Sequence, residues 1–281
     1  MLSTEKARLL YQATRHLQFC DIPSIDLKDR LSLATVAAGL RPVGVLEAEG
    51  LELEHVREEV INHGLLTCIS KAVWSRIEWP GNHPLLRYFL LMDESRKPAN
   101  TRRVLWVCAN PEDRKKLKSS PLIKHEAGLL LGYPACCVQF QIEVDVKANA
   151  EFLTALIAKV GNDEQSVAQA LKDDVGVEVS DDVFAVENVP KTDERFPFVI
   201  HTACDSCLCS AECQSAQINA SYEKLALDLD PQFHTGFLQI RALCSRLRGA
   251  SDTDRDRIYQ EMQKIHQQAL YDGKRQSAKL R

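Results

Sequence analysis

Apolar positions recur at helical spacing along most of this chain, and short runs rich in β-branched and aromatic residues interrupt them only before residue 110. Over 4–19, Leu9, Leu10, Ala13 and Leu17 share one face, and Ser3 or Thr4 can cap the first exposed amides. A second helix is predicted over 27–38, with Asp26 before it and Gly39 after it. Residues 41–47 read as a short strand, and 53–63 as a helix that Gly64 stops. The runs 65–69, 86–92 and 104–108 read as strands. Turn-forming Pro-Gly-Asn-His-Pro at 80–84 and Lys-Pro-Ala-Asn at 97–100 separate them. Pro111, followed by Glu112 and Asp113, has the chemistry of a helix start.

Beyond Lys124 the pattern is almost wholly helical. Helices are predicted over 125–131, from Pro134 to Gly161, and over 163–172, 215–229, 233–248 and 254–271. Residues 173–195 are acidic, poor in large apolar side chains and read as a loop. Phe196-Pro-Phe-Val-Ile returns the chain to the core, and 274–281 reads as a frayed end. The expected class is therefore α+β. Residues 1–120 form a small N-terminal α/β unit with a sheet, and 121–281 form a mostly helical cysteine-rich metal-site domain.

At 281 residues the chain can bury a substantial core. Its formal charge of −4 argues against an electrostatic nucleic-acid role. No apolar run is long enough to span a bilayer. The start lacks the basic and apolar segments of a secretory signal, so the expected compartment is the cytoplasm, where thiols stay reduced. Clustered cysteines there favour metal binding or redox catalysis over structural disulfides.

The clustering is pronounced. Of ten cysteines, six fall into two groups: Cys136 and Cys137 in Gly-Tyr-Pro-Ala-Cys-Cys, and Cys204, Cys207, Cys209 and Cys213 after His201. Cys204 and Cys207 form a C-x-x-C pair, whose spacing lets one turn present both sulfurs to a single ion. The run matches neither a bacterial ferredoxin nor a zinc-finger spacing, so a ligand from outside it is expected. Cys136 and Cys137 are the obvious donors. Because neighbouring side chains diverge, one is expected to ligate or react and the other to pack. Pro134 would set the first turn of a helix whose free amides favour a reactive thiolate at Cys137. Gly132 allows positive φ or close backbone approach.

Other positions carry weaker signals. Cys20, Cys68, Cys108 and Cys244 read as small buried hydrophobes. Ser215 and Asn219 share a helix face just after the cysteines and suit cofactor or substrate binding, although Ser215 can equally cap its helix. Tyr222 lies near that face. His125-Glu126 and the basic group Arg114, Lys115, Lys116 and Lys118 read as solvated helix faces. Trp74, Trp79 and Trp106 read as packing residues.

The segment Leu-Gly-Tyr-Pro-Ala-Cys-Cys at 131–137 resembles a group of prokaryotic proteins gathered as a domain of unknown function, number 483. In that family a Leu-Gly-Tyr-Pro-x-Cys-Cys turn is followed by His-x-Pro-Cys and a further cysteine. Here His201-Thr-Ala-Cys204 is similar to the second motif, with Ala203 in place of proline, and Cys207 looks like the further cysteine. The resemblance spans roughly residues 100–230. It implies that both motifs belong to one site, with Cys136, Cys137, His201, Cys204 and Cys207 as its core, and it supplies no activity.

The reading that follows is a metal-binding protein with a Cys/His site holding zinc or an iron–sulfur cluster, acting as an enzyme on an unidentified small molecule or protein. The ligand set is drawn from Cys136, Cys137, His201, Cys204, Cys207, Cys209 and Cys213, with Cys137 and His201 as the reactive groups. Two alternatives stay open. One is a metal-free thiol-redox or sulfur-transfer enzyme in which Cys137 or Cys204 attacks and Cys207 resolves. The other is a zinc-stapled scaffold without catalysis.

Overall fold

The computed structural model describes residues 3–46, 51–71, 77–95, 103–119, 124–177, 188–247 and 250–271. Trp74, the 97–100 turn, residues 178–187 of the expected loop and the 274–281 tail lie outside them. The element order is α1 (Thr4–Thr14), α2 (Pro23–Ala38), β1 (Val43–Leu46), α3 (Leu51–Asn62), β2 (Leu66–Lys71), α4 (Leu86–Ser95) and β3 (Arg103–Cys108). There follow α5 (Pro111–Ser119), α6 (Lys124–Leu130), α7 (Ala135–Val160), α8 (Glu164–Lys172), α9 (Asn188–Arg195), α10 (Asp205–Cys209), α11 (Gln214–Leu229), α12 (Pro231–Leu247) and α13 (Asp252–Tyr271). The class is α+β and mostly helical, with one small antiparallel sheet near the N-terminus.

The sheet has three strands in the order β1-β3-β2. Val43 faces Cys108 on one side of β3, and Cys68 faces Trp106 on the other. Strand β1 lies close under α2. A Cβ on Gly44 would stand 2.8 Å from Ser32 Oγ, so only glycine fits that contact.

Helix α1 is shorter than its apolar pattern predicts. It ends at Thr14 because Arg30, buried in α2, takes the terminal carbonyls: its guanidinium donates to Thr14 O at 3.1 Å and to Leu17 O. Asp26, fully buried, accepts from Phe19 N at 2.7 Å and from Arg30 Nε at 2.6 Å. It also contacts His266 Nε2 of α13 at 2.9 Å. One charged cluster thus turns the chain between α1 and α2 and ties α13 to both.

Residues 86–92, expected as a strand, form α4. The run holds no β-branched residue, and Tyr88, Phe89 and Met92 are buried at helical spacing against Leu153 and Leu156 of α7 and Val167 of α8. Trp79 stacks on Phe89, with ring centroids 4.1 Å apart. Part of the expected 173–195 loop is helix α9. Its hold is tertiary: Asp193 pairs with Arg241 of α12 at 2.5 Å, and Thr192 Oγ1 accepts from Ala203 N at 3.0 Å.

The main core joins the faces of α1, α2, α3 and the sheet to those of α11, α12 and α13, with Phe198, Phe233 and Phe237 at its centre. It therefore contains residues from both sides of position 120. A separate small core forms around Cys137, Phe196, Val199, Ala203, Cys204 and Cys207. Among the described residues, no helix is long and apolar enough to cross a membrane.

Candidate metal centre

The first half of the site is built by a helix stop followed at once by a helix start. Helix α6 ends on Gly132, whose φ of +74° lies in the left-handed region. Gly132 N donates to Leu129 O and Tyr133 N to Gly128 O, the paired bonds of a Schellman stop. A Cβ on Gly132 would also press on Arg41 Cβ at 3.2 Å, so the turn needs glycine for both conformation and space. Pro134 then caps α7 through its carbonyl, which accepts from Cys137 N and Val138 N. It thus sits one position before the helix, where it sets the entry direction. Cys136 and Cys137 occupy the second and third helical positions.

The second half is brought in by α12. Arg241 Nε donates to Pro197 O at 2.9 Å and its Nη2 to Val199 O at 3.0 Å, pinning the 196–200 segment. Asn219 Oδ1 accepts from Phe198 N at 2.9 Å. Beyond this anchor, Cys204 caps the short α10 and Cys207 lies within it, so the C-x-x-C pair does fall on one turn.

The two halves meet. Sγ of Cys136 is 3.7 Å from that of Cys207, and Sγ of Cys137 is 3.8 Å from Cys204 and 3.6 Å from Cys207. All four sulfurs lie within 4.8 Å of one another. Four sulfurs bound tetrahedrally at about 2.3 Å from one ion stand about 3.8 Å apart. The observed separations fit a cysteine-based metal site. All four are free thiols.

Both tandem cysteines join this group, against the expectation that one would pack elsewhere. Successive side chains on a helix diverge by about 100° rather than pointing to opposite sides. A centre placed off the helix end is therefore within reach of both. Cys136 is exposed, whereas Cys137, Cys204 and Cys207 are buried.

The neighbouring hydrogen bonds are specific. Cys204 N donates to Cys137 Sγ at 3.4 Å. Ser215, fully buried, places its Oγ 3.6 Å from Cys137 Sγ and 3.2 Å from His201 Nε2. His201 thus reaches the centre through Ser215, and its ring packs on Tyr133 at 4.9 Å. Burial, aided by the charge of Arg41, pushes the His201 imidazole down to about 3.

Among the thiols, burial pushes Cys136 up to about 11, and hydrogen bonds to Cys204 and Cys207 add to the rise. Burial raises Cys137 further still. Cys207 goes the other way. Burial opposes its ionisation, but donors at Ser215, Cys137, Cys136 and Cys204 bring it down to about 7. Of the shifted thiols, the one that ionises most readily is therefore Cys207 rather than Cys137.

The other sequence candidates fall outside the four-sulfur group. Cys209 is exposed. Cys213 caps α11: its Sγ accepts from Ala216 N at 3.3 Å and sits 3.3 Å from Cys207 O. Asn219 braces the backbone at Phe198. Lys115, Lys116 and Lys118 are exposed, while Arg114 bonds Thr67 O. His125 lines a separate groove of about 600 Å³ along α7. Two neighbours escaped the sequence reading. Tyr133 carried no assignment beyond its motif, and Arg41 belonged to a predicted strand. Nothing in local sequence marks Arg41; its place depends on the packing of β1 against the Gly132 turn.

No family model, curated protein or solved structure matches this chain.

Proposed function

We propose that Cys136, Cys137, Cys204 and Cys207 bind one zinc ion and that this centre is the reactive site of an enzyme. The sulfur spacing supports a single ion. An iron–sulfur cluster interposes several atoms between its cysteines and spreads them farther apart. Zinc holds its thiolates ionised near neutral pH, and Cys136 is the one sulfur of the four open to a substrate. The resemblance to the domain-of-unknown-function group 483 agrees in assigning both motifs to one site. The reading takes the cytoplasm as the compartment, where the thiols stay reduced.

Purification without air, followed by elemental analysis, is expected to give one zinc per chain and a colourless protein. Iodoacetamide is expected to label Cys136 first, forming a sulfur–carbon bond and releasing iodide. Cys136→Ser should keep the fold and lose that reactivity, whereas Cys204→Ser should lose the metal. A brown, iron-containing protein would replace zinc in this reading. If Cys136 resists alkylation and both Cys136→Ser and Cys204→Ser unfold, the centre is a staple.

One observation favours a metal-free thiol enzyme: the low-lying Cys207 thiol stands 3.6 Å from Cys137. Metal-free protein carrying a Cys137–Cys207 disulfide by mass spectrometry would support that reading instead.

A further inference from the structure

The four clustered sulfurs stand near enough to react with one another, and exposure singles out one of them. Cys136 Sγ is 3.7 Å from Cys207 Sγ, and Cys137 Sγ is 3.8 Å from Cys204 Sγ. Bonded sulfurs stand about 2.05 Å apart, so each contact becomes a disulfide by a shift of under about 2 Å. Both contacts join the start of α7 to the 204–207 turn. Cys136 is exposed, whereas Cys137, Cys204 and Cys207 are buried. A small oxidant in solution therefore meets Cys136 first.

Four sulfurs allow three complete pairings, and the geometry separates them. The first joins Cys136 to Cys137 and Cys204 to Cys207. Sequence neighbours have Cα atoms about 3.8 Å apart, short of the roughly 4.4–6.8 Å that a relaxed disulfide spans. A Cys136–Cys137 bridge would therefore distort the first turn of α7. The second pairing joins Cys137 to Cys207 across a 3.6 Å contact, but it starts from two buried sulfurs and leaves the exposed one to Cys204. The third joins Cys136 to Cys207. It engages the exposed sulfur at once and leaves Cys137 and Cys204 in contact for the second bond. Cys213 is a competitor for Cys207. Its sulfur is held as the α11 cap, 3.3 Å from Cys207 O and accepting from Ala216 N at 3.3 Å.

We propose that the four-sulfur cluster is a peroxide-responsive switch, in which oxidation links Cys136 to Cys207, then Cys137 to Cys204, and expels the bound ion. The Cys136 thiolate attacks hydrogen peroxide, forming a sulfur–oxygen bond, breaking the oxygen–oxygen bond and releasing hydroxide. The Cys207 thiolate then attacks the Cys136 sulfur, forming the disulfide and releasing a second hydroxide. The two sulfurs together lose two electrons, and the peroxide gains them. A second peroxide does the same for Cys137 and Cys204. Zinc is held by thiolates, so sulfurs joined in disulfides release it, and Cys136 is lost as the reactive group. A dithiol restores the four thiols by exchange. The expelled ion rests on the zinc reading above, whereas the cross-links rest on the sulfur geometry.

The test is stepwise addition of hydrogen peroxide to the purified protein. A chromophoric chelator follows zinc release, and mass spectrometry maps the disulfides after the remaining thiols are alkylated. The first equivalent should give the Cys136–Cys207 cross-link and release zinc, and the second should add Cys137–Cys204. Dithiothreitol should restore the thiols and zinc uptake. Cys136→Ser should lose the first cross-link and consume peroxide several-fold more slowly, while Cys209→Ser should behave as the parent. The proposal is overturned if the first disulfide is any other pair, if Cys136 stops at a sulfinic acid without a cross-link, or if zinc stays bound once the cross-link has formed. Cys136→Ser oxidising at the parental rate would also overturn it. Protein that purifies without metal and still forms Cys136–Cys207 would remove the zinc reading and keep the cross-links. Zinc-bound protein that forms a different pair would do the reverse.

Discussion

Ser215 shows how much one buried side chain contributes to this centre. Its hydroxyl lies within reach of Cys137 Sγ and of His201 Nε2, so it links a sulfur of the cluster to a histidine outside it. Groups that orient metal ligands commonly carry 10–100-fold of the affinity. On the zinc reading proposed above, Ser215→Ala is therefore expected to keep the fold and to weaken metal binding by roughly tenfold or more. Competition with a chromophoric chelator would measure it, and unchanged affinity would reduce Ser215 to packing. The sequence placed Ser215 near the cysteines but could not assign its contacts, because they run to α7 and to the 196–204 segment. Arg41 carried no local signal at all. His201 was legible as a neighbour of Cys204, yet its position beyond Ser215 depends on how α11 lies across the site.

At the scale of elements, the buried Asp26 cluster holds α1, α2 and α13 in one arrangement. Burial alone would raise the Asp26 carboxyl, but the hydrogen bond to His266 and the charge and hydrogen bond of Arg30 hold it below its ordinary value. A carboxylate lowered on folding contributes stability that is complete above its unfolded value and is lost as pH falls through the folded one. Denaturant midpoints should accordingly drop below about pH 4 more steeply in the parent than in Asp26→Ala. At neutral pH, Asp26→Ala leaves Arg30 buried without its partner and should cost about 3–5 kcal/mol. Equal stability at neutral pH would refute this role. The same scale shows where local reading failed. The 86–92 run looked like a strand because of its aromatic content, but the helical spacing of Tyr88, Phe89 and Met92 prevailed once α7 and α8 supplied a surface. Helix α9 exists in a polar segment because Arg241 and Ala203 hold it there.

For the whole molecule, the separation of cores determines what a metal can stabilise. The main core packs the sheet with α1, α2, α3, α11, α12 and α13 without using the cysteine cluster, whereas the small core around Cys137, Cys204 and Cys207 is little more than the site itself. On the zinc reading proposed above, chelation should lower the thermal midpoint, since a ligand bound only by the native state stabilises it by mass action. Hydrogen exchange should quicken in α9, α10 and the first turn of α7 while α2 and α12 keep their protection. Uniform loosening across all helices would contradict this division.

Local chemistry in the chain settled the helix-rich character, the short strands 65–69 and 104–108, the glycine stop at 132 and the two cysteine groups from which the cluster is drawn. Apolar periodicity, turn residues and ligand spacing act over a few neighbours and survive without a fold. The tertiary structure decided that both tandem cysteines face the C-x-x-C turn, that Cys209 and Cys213 stay outside the group and that Arg41 packs against the Gly132 turn. Those outcomes depend on where α7, α10, α11 and β1 lie in space, and no short-range pattern encodes distances between segments some 70 residues apart in the chain.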